Sequence, residues 1–173
     1  MKILFIPECY FDTVLIKKIV KQNDLVWHQK GCNKVVSKCI NLKNTFNVGV
    51  IDKDKKELKD LASFESYSTE GLNIYFKNGY SVIFIQLNPP IERWILNICE
   101  EQNIDLSKFS LSSNVKDLRY QTKSQIVGET KNLNDLCDEL LKSENATIVR
   151  LKNWIKHILT NFNAIDYNYF KNA

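Results

Sequence analysis

No apolar run in this chain approaches the roughly 20 residues that a membrane-spanning helix needs. The opening MKILFIPE is too short in its apolar part for a secretory signal and turns acidic at once, so a cytoplasmic setting is expected. CxxC pairs are missing. Cys9, Cys32, Cys39, Cys99 and Cys137 lie far apart, and an odd count without a leader argues for free thiols and against a disulfide framework. Histidine is nearly absent too. His28 and His157 share no ligand spacing with any cysteine, which argues against zinc. No repeat or linker divides the chain, and nothing like a GxxxxGK[ST] phosphate loop is visible. What is there fits one domain: 173 residues, 44% hydrophobic and 25% charged, large enough to bury a core without staples.

The net charge of +4 is unevenly placed. Residues 1–60 carry twelve lysines against seven acidic residues, leaving +5, whereas residues 61–173 carry twelve Lys/Arg against thirteen acids, leaving −1. A basic half suits an anionic substrate, a phosphodiester or nucleotide. Lysines on solvated helix faces give the same count with no ligand at all.

Within that basic half stands Phe46 to Lys56, FNVGVIDKDKK. Phe46, Val48, Val50 and Ile51 read as a buried, parallel strand. It ends in Asp52-Lys53-Asp54, where open α/β sheets place their sites. Residues two apart in extended chain point the same way, so both carboxylates can face one point. They repel unless a cation or a proton joins them, and a hard divalent ion such as Mg²⁺ meets that need. Asp54-Lys55-Lys56-Glu57 also fits a capping box, with Asp54 as N-cap of a short helix to about Ala62.

The remaining pattern places this strand third. Ile3–Ile6 is a first strand, closed by Pro7-Glu8. A helix is expected over about Asp12–Gln22, capped by Asp12, with Phe11, Val14, Leu15 and Ile19 on its apolar stripe. Leu25–His28 reads as a second strand, and Asn33 opens a helix with Val35, Val36, Cys39 and Leu42 inward and Lys34, Lys38 and Lys43 outward. A β-α-β-α-β order with short connections implies parallel strands. Asn78-Gly79 then signals a hairpin between Leu72–Lys77 and Tyr80–Ile85, with Val82–Ile85 as the central strand. Pro89-Pro90 introduces a helix from Ile91 to about Gln102. Ser112–Tyr120 receives no assignment, Leu133–Lys142 and Thr147–Asn161 read as amphipathic helices over the sheet, and the tail from Asn163 has no period. The expected fold is a Rossmann-like three-layer α/β sandwich, a mostly parallel sheet with an antiparallel hairpin and helices on both faces. One domain spans 1–173, with a core at about 2–102 and a helical part at about 103–173.

Glu8 after the first strand, with Asp52 and Asp54 after the third, would bring three carboxylates to one edge. Gly31 and Asn33 precede a helix N-terminus, where backbone N–H groups favour an anion. In these residues the sequence resembles the Toprim (topoisomerase–primase) fold, particularly the branch found in OLD-family nucleases. That family carries a glutamate after its first strand and Asp-x-Asp after its third, matched by Glu8 and by Asp52-Lys53-Asp54. Asp12 stands where the OLD-like branch often has a second acid, and Gly31-Cys32-Asn33-Lys34 resembles its glycine-bearing turn. The likeness covers about residues 2–87. It departs at Cys9, where a glycine is usual, and at Lys56, where some members have a third aspartate.

The resemblance implies Mg²⁺- or Mn²⁺-dependent phosphoryl transfer or phosphodiester hydrolysis on nucleic acid. Asp52 and Asp54 would ligate the metal, and Glu8 would hold a second ion or act as general base, with Asp12 beside them. Gly31, Asn33, Lys34, Lys38, Lys55 and Lys56 would hold phosphates. OLD nucleases usually carry an ATPase domain, so a stand-alone chain is expected to work with a separate protein partner, by analogy in a mobile-element or defence setting. Two other readings stand beside it. One is an inactive module that binds a protein or nucleic acid, favoured by Cys9 and Lys56. The other is a receiver-like domain with Asp52 as phosphoacceptor, which lacks the hydroxyl and lysine expected after later strands. Glu92 reads as a first-turn acid favoured by the helix dipole, His28 as a partly buried, hydrogen-bonded histidine, and Trp27, Trp94 and Trp154 as core or core edge. Arg93, Arg119 and Arg150 are scattered.

Overall fold

Alternation along the strands sorts the side chains into two layers on either side of one sheet. The computed structural model describes residues 1–53, 58–123 and 127–172. Its strands are β1 (Lys2–Pro7), β2 (Thr45–Asp52), β3 (Glu65–Thr69), β4 (Leu72–Phe76) and β5 (Val82–Leu87). They lie in the order β1-β2-β5-β4-β3. β1, β2 and β5 run parallel, and β4 and β3 continue antiparallel. The apolar β2 and β5 are central and buried along almost their whole length, as uninterrupted runs in parallel strands should be.

The helices are α1 (Tyr10–Val20), α2 (Cys32–Asn41), α3 (Ile91–Glu101), α4 (Val115–Lys123), α5 (Val127–Lys142), α6 (Ala146–Asn161) and the short α7 (Tyr169–Asn172). Phe5, Val48, Val50, Ile83 and Ile85 point to one face and pack with Phe11 and Leu15 of α1, Trp94 of α3, Leu136 of α5 and Trp154 of α6. Ile6, Ile51 and Phe84 point to the other face and pack with Val35, Val36 and Cys39 of α2. The fold is therefore α/β, with a mixed five-stranded sheet and helices on both faces. No described helix is long and apolar enough to cross a membrane. All five cysteines are free and buried.

Several expectations are corrected. Leu25–His28 is not a full strand. Asn23–Leu25 forms a 3₁₀ turn, and a single bridge, Phe5 to Val26, follows. Trp27 N–H donates to Phe5 O at 2.8 Å and Gln29 N–H to Pro7 O at 3.0 Å, so the segment merely lines the outer edge of β1. Asp12 is not an N-cap. α1 begins at Tyr10 with Cys9 as its cap, and it stops at Val20 because Lys21 turns left-handed at φ 58°. α2 begins at Cys32, with Gly31 as its cap at φ +94°. Of the helix expected over 55–62, residues 55–57 lie outside the described residues and Lys59–Leu61 is a 3₁₀ turn. The hairpin connection spans Lys77–Ser81, longer than the Asn-Gly pair alone suggests, with Gly79 at φ +80°. The segment left unassigned around Ser112–Tyr120 holds most of α4. The tail docks: Phe170 is fully buried with its ring 5.8 Å from that of Trp154, and Tyr167 stacks on Phe76 at 4.6 Å.

Candidate functional site

β1 and β2 end side by side, and each delivers an acid. Glu8 N–H donates to Val50 O at 3.0 Å, which extends the parallel ladder one residue past β1. Its carboxylate folds over the end of β2, where Oε2 accepts the N–H of Asp52 at 3.1 Å. Asp52 follows Val48 and Val50 by steps of two, so its side chain faces α1 and α3. It is 6% exposed, and Oδ1 has no hydrogen-bond partner.

Two further acids come to this edge from helices. Asp12 is the third residue of α1 and closes a capping box: its Oδ2 accepts from Cys9 N–H at 3.2 Å, and Cys9 Sγ accepts from Asp12 N–H at 3.4 Å. Cys9 thus starts the helix that positions Asp12. Burial pushes its thiol well above the ordinary range, so it stays protonated and is no nucleophile. Asp12 Oδ1 is buried and unpartnered. Glu92, in the first turn of α3, is 2% exposed. Arg119 of α4 places Nε 3.3 Å from Glu92 Oε1, an ion pair at an angle that gives that oxygen no hydrogen bond.

The electrostatics follow from this crowding. Burial, and then the negative charges of Asp12, Glu8 and Glu92, push Asp52 up to about 9. Burial and the charge of Glu8 push Asp12 up to about 7, against the pull of its Cys9 hydrogen bonds. Lys123, at the exposed end of α4, draws both downward. A cluster of this kind needs protons or a cation to be stable at neutral pH. Asp12 Oδ1 and Asp52 Oδ1, which have no hydrogen-bond partner, and Glu92 Oε1, held only by its ion pair with Arg119, are the hard oxygen donors that Mg²⁺ and Mn²⁺ prefer. Among the described residues, however, no three His, Cys, Asp or Glu side chains are gathered tightly enough to form a coordination shell. The acids feel one another without closing into one.

The structure thus brings Glu8, Asp12 and Asp52 together. Asp54, Lys55 and Lys56 lie outside the described residues. Gly31, Asn33, Lys34 and Lys38 lie around the start of α2, on the other side of the sheet from Asp12 and Asp52. Asn33 and Lys34 are exposed, while Lys38 is half-buried and donates to Gln29 Oε1 at 3.2 Å. Trp94 and Trp154 are buried as expected, but Trp27 is 49% exposed, with Lys38 Nζ 3.4 Å from its ring centroid. His28 is half-buried and bonded to Thr13 Oγ1 at 3.0 Å, as read from the sequence. Glu92 stands in the first turn of α3, as read from the sequence; its pairing with Arg119 and the nearness of Lys123 come only from the packing of α4 against α3 and α1.

No protein-family model, no curated protein and no solved structure matches this chain.

Proposed function

We propose that this chain is a Toprim-like domain that uses a divalent cation, Mg²⁺ or Mn²⁺, for phosphoryl transfer or phosphodiester hydrolysis on nucleic acid. One observation supports the reading: Glu8, Asp12, Asp52 and Glu92 lie near enough at the C-terminal edge of the parallel strands to feel one another's charge, though not drawn into a shell, and Asp12 and Asp52 each present a buried oxygen without a hydrogen-bond partner. Asp52, Glu8 and Asp12 would hold the ion, with Asp54 in the adjoining segment and Glu92 behind. Bound there, the ion would neutralise phosphate charge and lower the pKa of water. The chain's own part is to keep these oxygens out of bulk water, so that they favour a cation over hydration. Glu8, half-exposed at the rim, would hold a second ion or take a proton from water. Lys34 and Lys38, with Lys55 and Lys56, would hold phosphates without reading sequence. A separate ATPase or other protein partner would supply what a chain with no phosphate loop does not.

The test is isothermal titration of Mn²⁺ and Mg²⁺ into the wild type and into D12N/D52N, followed by cleavage of labelled single- and double-stranded substrates. Saturable binding and cleavage, both lost in the variant, are expected. Absence of both at millimolar metal overturns the reading. One observation favours a second, inactive module: Glu8 Oε2 and Asp12 Oδ2 are each engaged by a backbone N–H. Metal-independent binding of a partner, with no cleavage, would establish it.

A further inference from the structure

Beside the acidic edge lies an aromatic and basic surface that packing does not account for. Of the three tryptophans, Trp94 and Trp154 are 1% and 0% exposed, yet Trp27 leaves half its surface in water. It is held in place by its own N–H, bonded to Phe5 O at 2.8 Å on the outer edge of β1. Next in the chain, His28 stacks on Tyr10 with ring centroids 4.4 Å apart and planes 19° from parallel. Burial, with Lys30 and Lys17 nearby, holds the imidazole below its usual pKa, so this second flat surface is neutral at pH 7. Lys30, Lys34 and Lys38 follow at intervals of four, which puts Lys34 and Lys38 on one stripe of α2 and Lys30 at its start.

The segment that carries Trp27 and His28 runs along β1 toward Glu8. Gln29 N–H donates to Pro7 O at 3.0 Å, one residue before Glu8, and Tyr10 stands midway between Glu8 and Asp12 in the chain. Flat rings beside a line of ammonium groups are how proteins hold unpaired bases while gripping the backbone. A duplex hides its base faces inside the stack, so exposed rings gain nothing from it. Lys38 over Trp27 is a weak contact at an exposed site. A base on the ring and a phosphate on the lysine would together replace it.

We infer that Trp27, the Tyr10–His28 stack and Lys30, Lys34 and Lys38 form a binding track for single-stranded nucleic acid leading to the acidic edge. This deepens the function proposed above and rests on it for the class of ligand, but it concerns binding, which needs no metal.

The experiment is fluorescence anisotropy of a labelled oligothymidylate and of a duplex of equal length, in EDTA, over a range of salt. Wild type is expected to bind the single strand more tightly than the duplex. Binding should quench tryptophan emission, a signal that reports Trp27 because the other two indoles are buried. Trp27→Ala should bind about tenfold more weakly with the salt slope kept, as expected for one lost base stack, and Trp27→Phe should recover most of the loss. K34E/K38E should bind more weakly with a shallower salt slope. Equal binding by Trp27→Ala, or duplex bound as tightly as single strand, overturns the inference. So does an absence of oligonucleotide binding, which would assign the surface to a protein partner. Binding through Trp27 without metal-dependent cleavage removes the hydrolytic reading and leaves this one standing; cleavage with Trp27→Ala unimpaired does the reverse.

Discussion

The carboxylate of Glu8 accepts the backbone N–H of Asp52 at 3.1 Å, joining two acids 44 positions apart. The bond ties the ends of β1 and β2 while bringing two negative charges together. Glu8→Ala removes the acceptor and should cost about 1 kcal/mol, the usual net worth of such a bond. Glu8→Gln keeps an oxygen acceptor and removes one charge facing Asp52, so its stability should match or exceed the wild type. Thermal unfolding of the pair decides; equal losses would show that the charge, not the hydrogen bond, holds the strand ends.

Stability of the metal-free chain should fall as pH rises. Asp12 and Asp52 hold protons up to about 7 and about 9 in the folded state, whereas unfolded carboxyls release them near 4. The folded chain therefore binds more protons than the unfolded one across that window. The stability so gained is complete below about pH 4 and is lost as pH climbs through the folded values, at up to about 1.4 kcal/mol per pH unit per proton. In chelator, Tm should drop between pH 6 and 9, and D12N/D52N should flatten the profile. Mn²⁺ at pH 8 should restore the wild type alone. A wild-type Tm that is level or rises with pH would contradict this.

Arg119 is the cation beside buried Glu92, and its side chain is 58% exposed. Water screens the pair from that side, so Arg119→Ala should cost only about 1 kcal/mol, well under the loss for a fully buried partner. Combining it with Glu92→Gln should cancel most of that loss, since the orphaned charge goes too. A double-mutant cycle by urea unfolding measures the coupling.

Two glycines are needed for different reasons. A Cβ on Gly49 would lie 2.5 Å from Phe84 Cδ1 and 3.2 Å from Cys39 Sγ, inside the α2 face of the sheet. Both neighbours are buried, so Gly49→Ala should destabilise by about 1–3 kcal/mol through overpacking. Gly31 has open space around its Cβ position but a φ of +94° that L side chains rarely adopt; Gly31→Ala should cost about 1–3 kcal/mol of backbone strain. Denaturant midpoints of the two variants measure both losses, and a wild-type midpoint in either would contradict its cause.

The five thiols are buried, and burial raises Cys9, Cys39, Cys99 and Cys137 above the ordinary range. None should react with Ellman's reagent at pH 8 in the folded chain, and all five should react after denaturation. Prompt labelling of one thiol in the native protein would identify a site that opens.

What the residues disclosed in advance was what local pattern controls. The valine and isoleucine runs of β2 and β5, the turn at Gly79 and the start of α3 after Pro90 each depend on a few neighbours in the chain. Leu25–His28 misled because an apolar run of four resembles a strand even where only Val26 forms a bridge. The same segment misplaced Trp27: hydrophobicity argues for burial, but a segment on the outside of β1 has no layer beyond it. Glu8 and Asp52 were legible because strand ends converge in a parallel sheet, whereas Asp12, on α1, entered only through the family resemblance. Glu92 with Arg119 was not, since their meeting depends on how α4 packs against α3, and no periodicity encodes that.

The sheet separates two interiors that share no residue, one under α1, α3, α5 and α6 and one under α2. Asp12, Asp52 and Glu92 belong to the first side, and the lysine stripe of α2 to the second. In evolutionary terms such a chain has two nearly independent ledgers of variation. Changes beneath α2 can shift the helix that carries the lysines while leaving the protonation of the acids untouched, because distant, unconnected substitutions combine additively. A lineage built on this fold can therefore vary one face of the sheet while the other holds still.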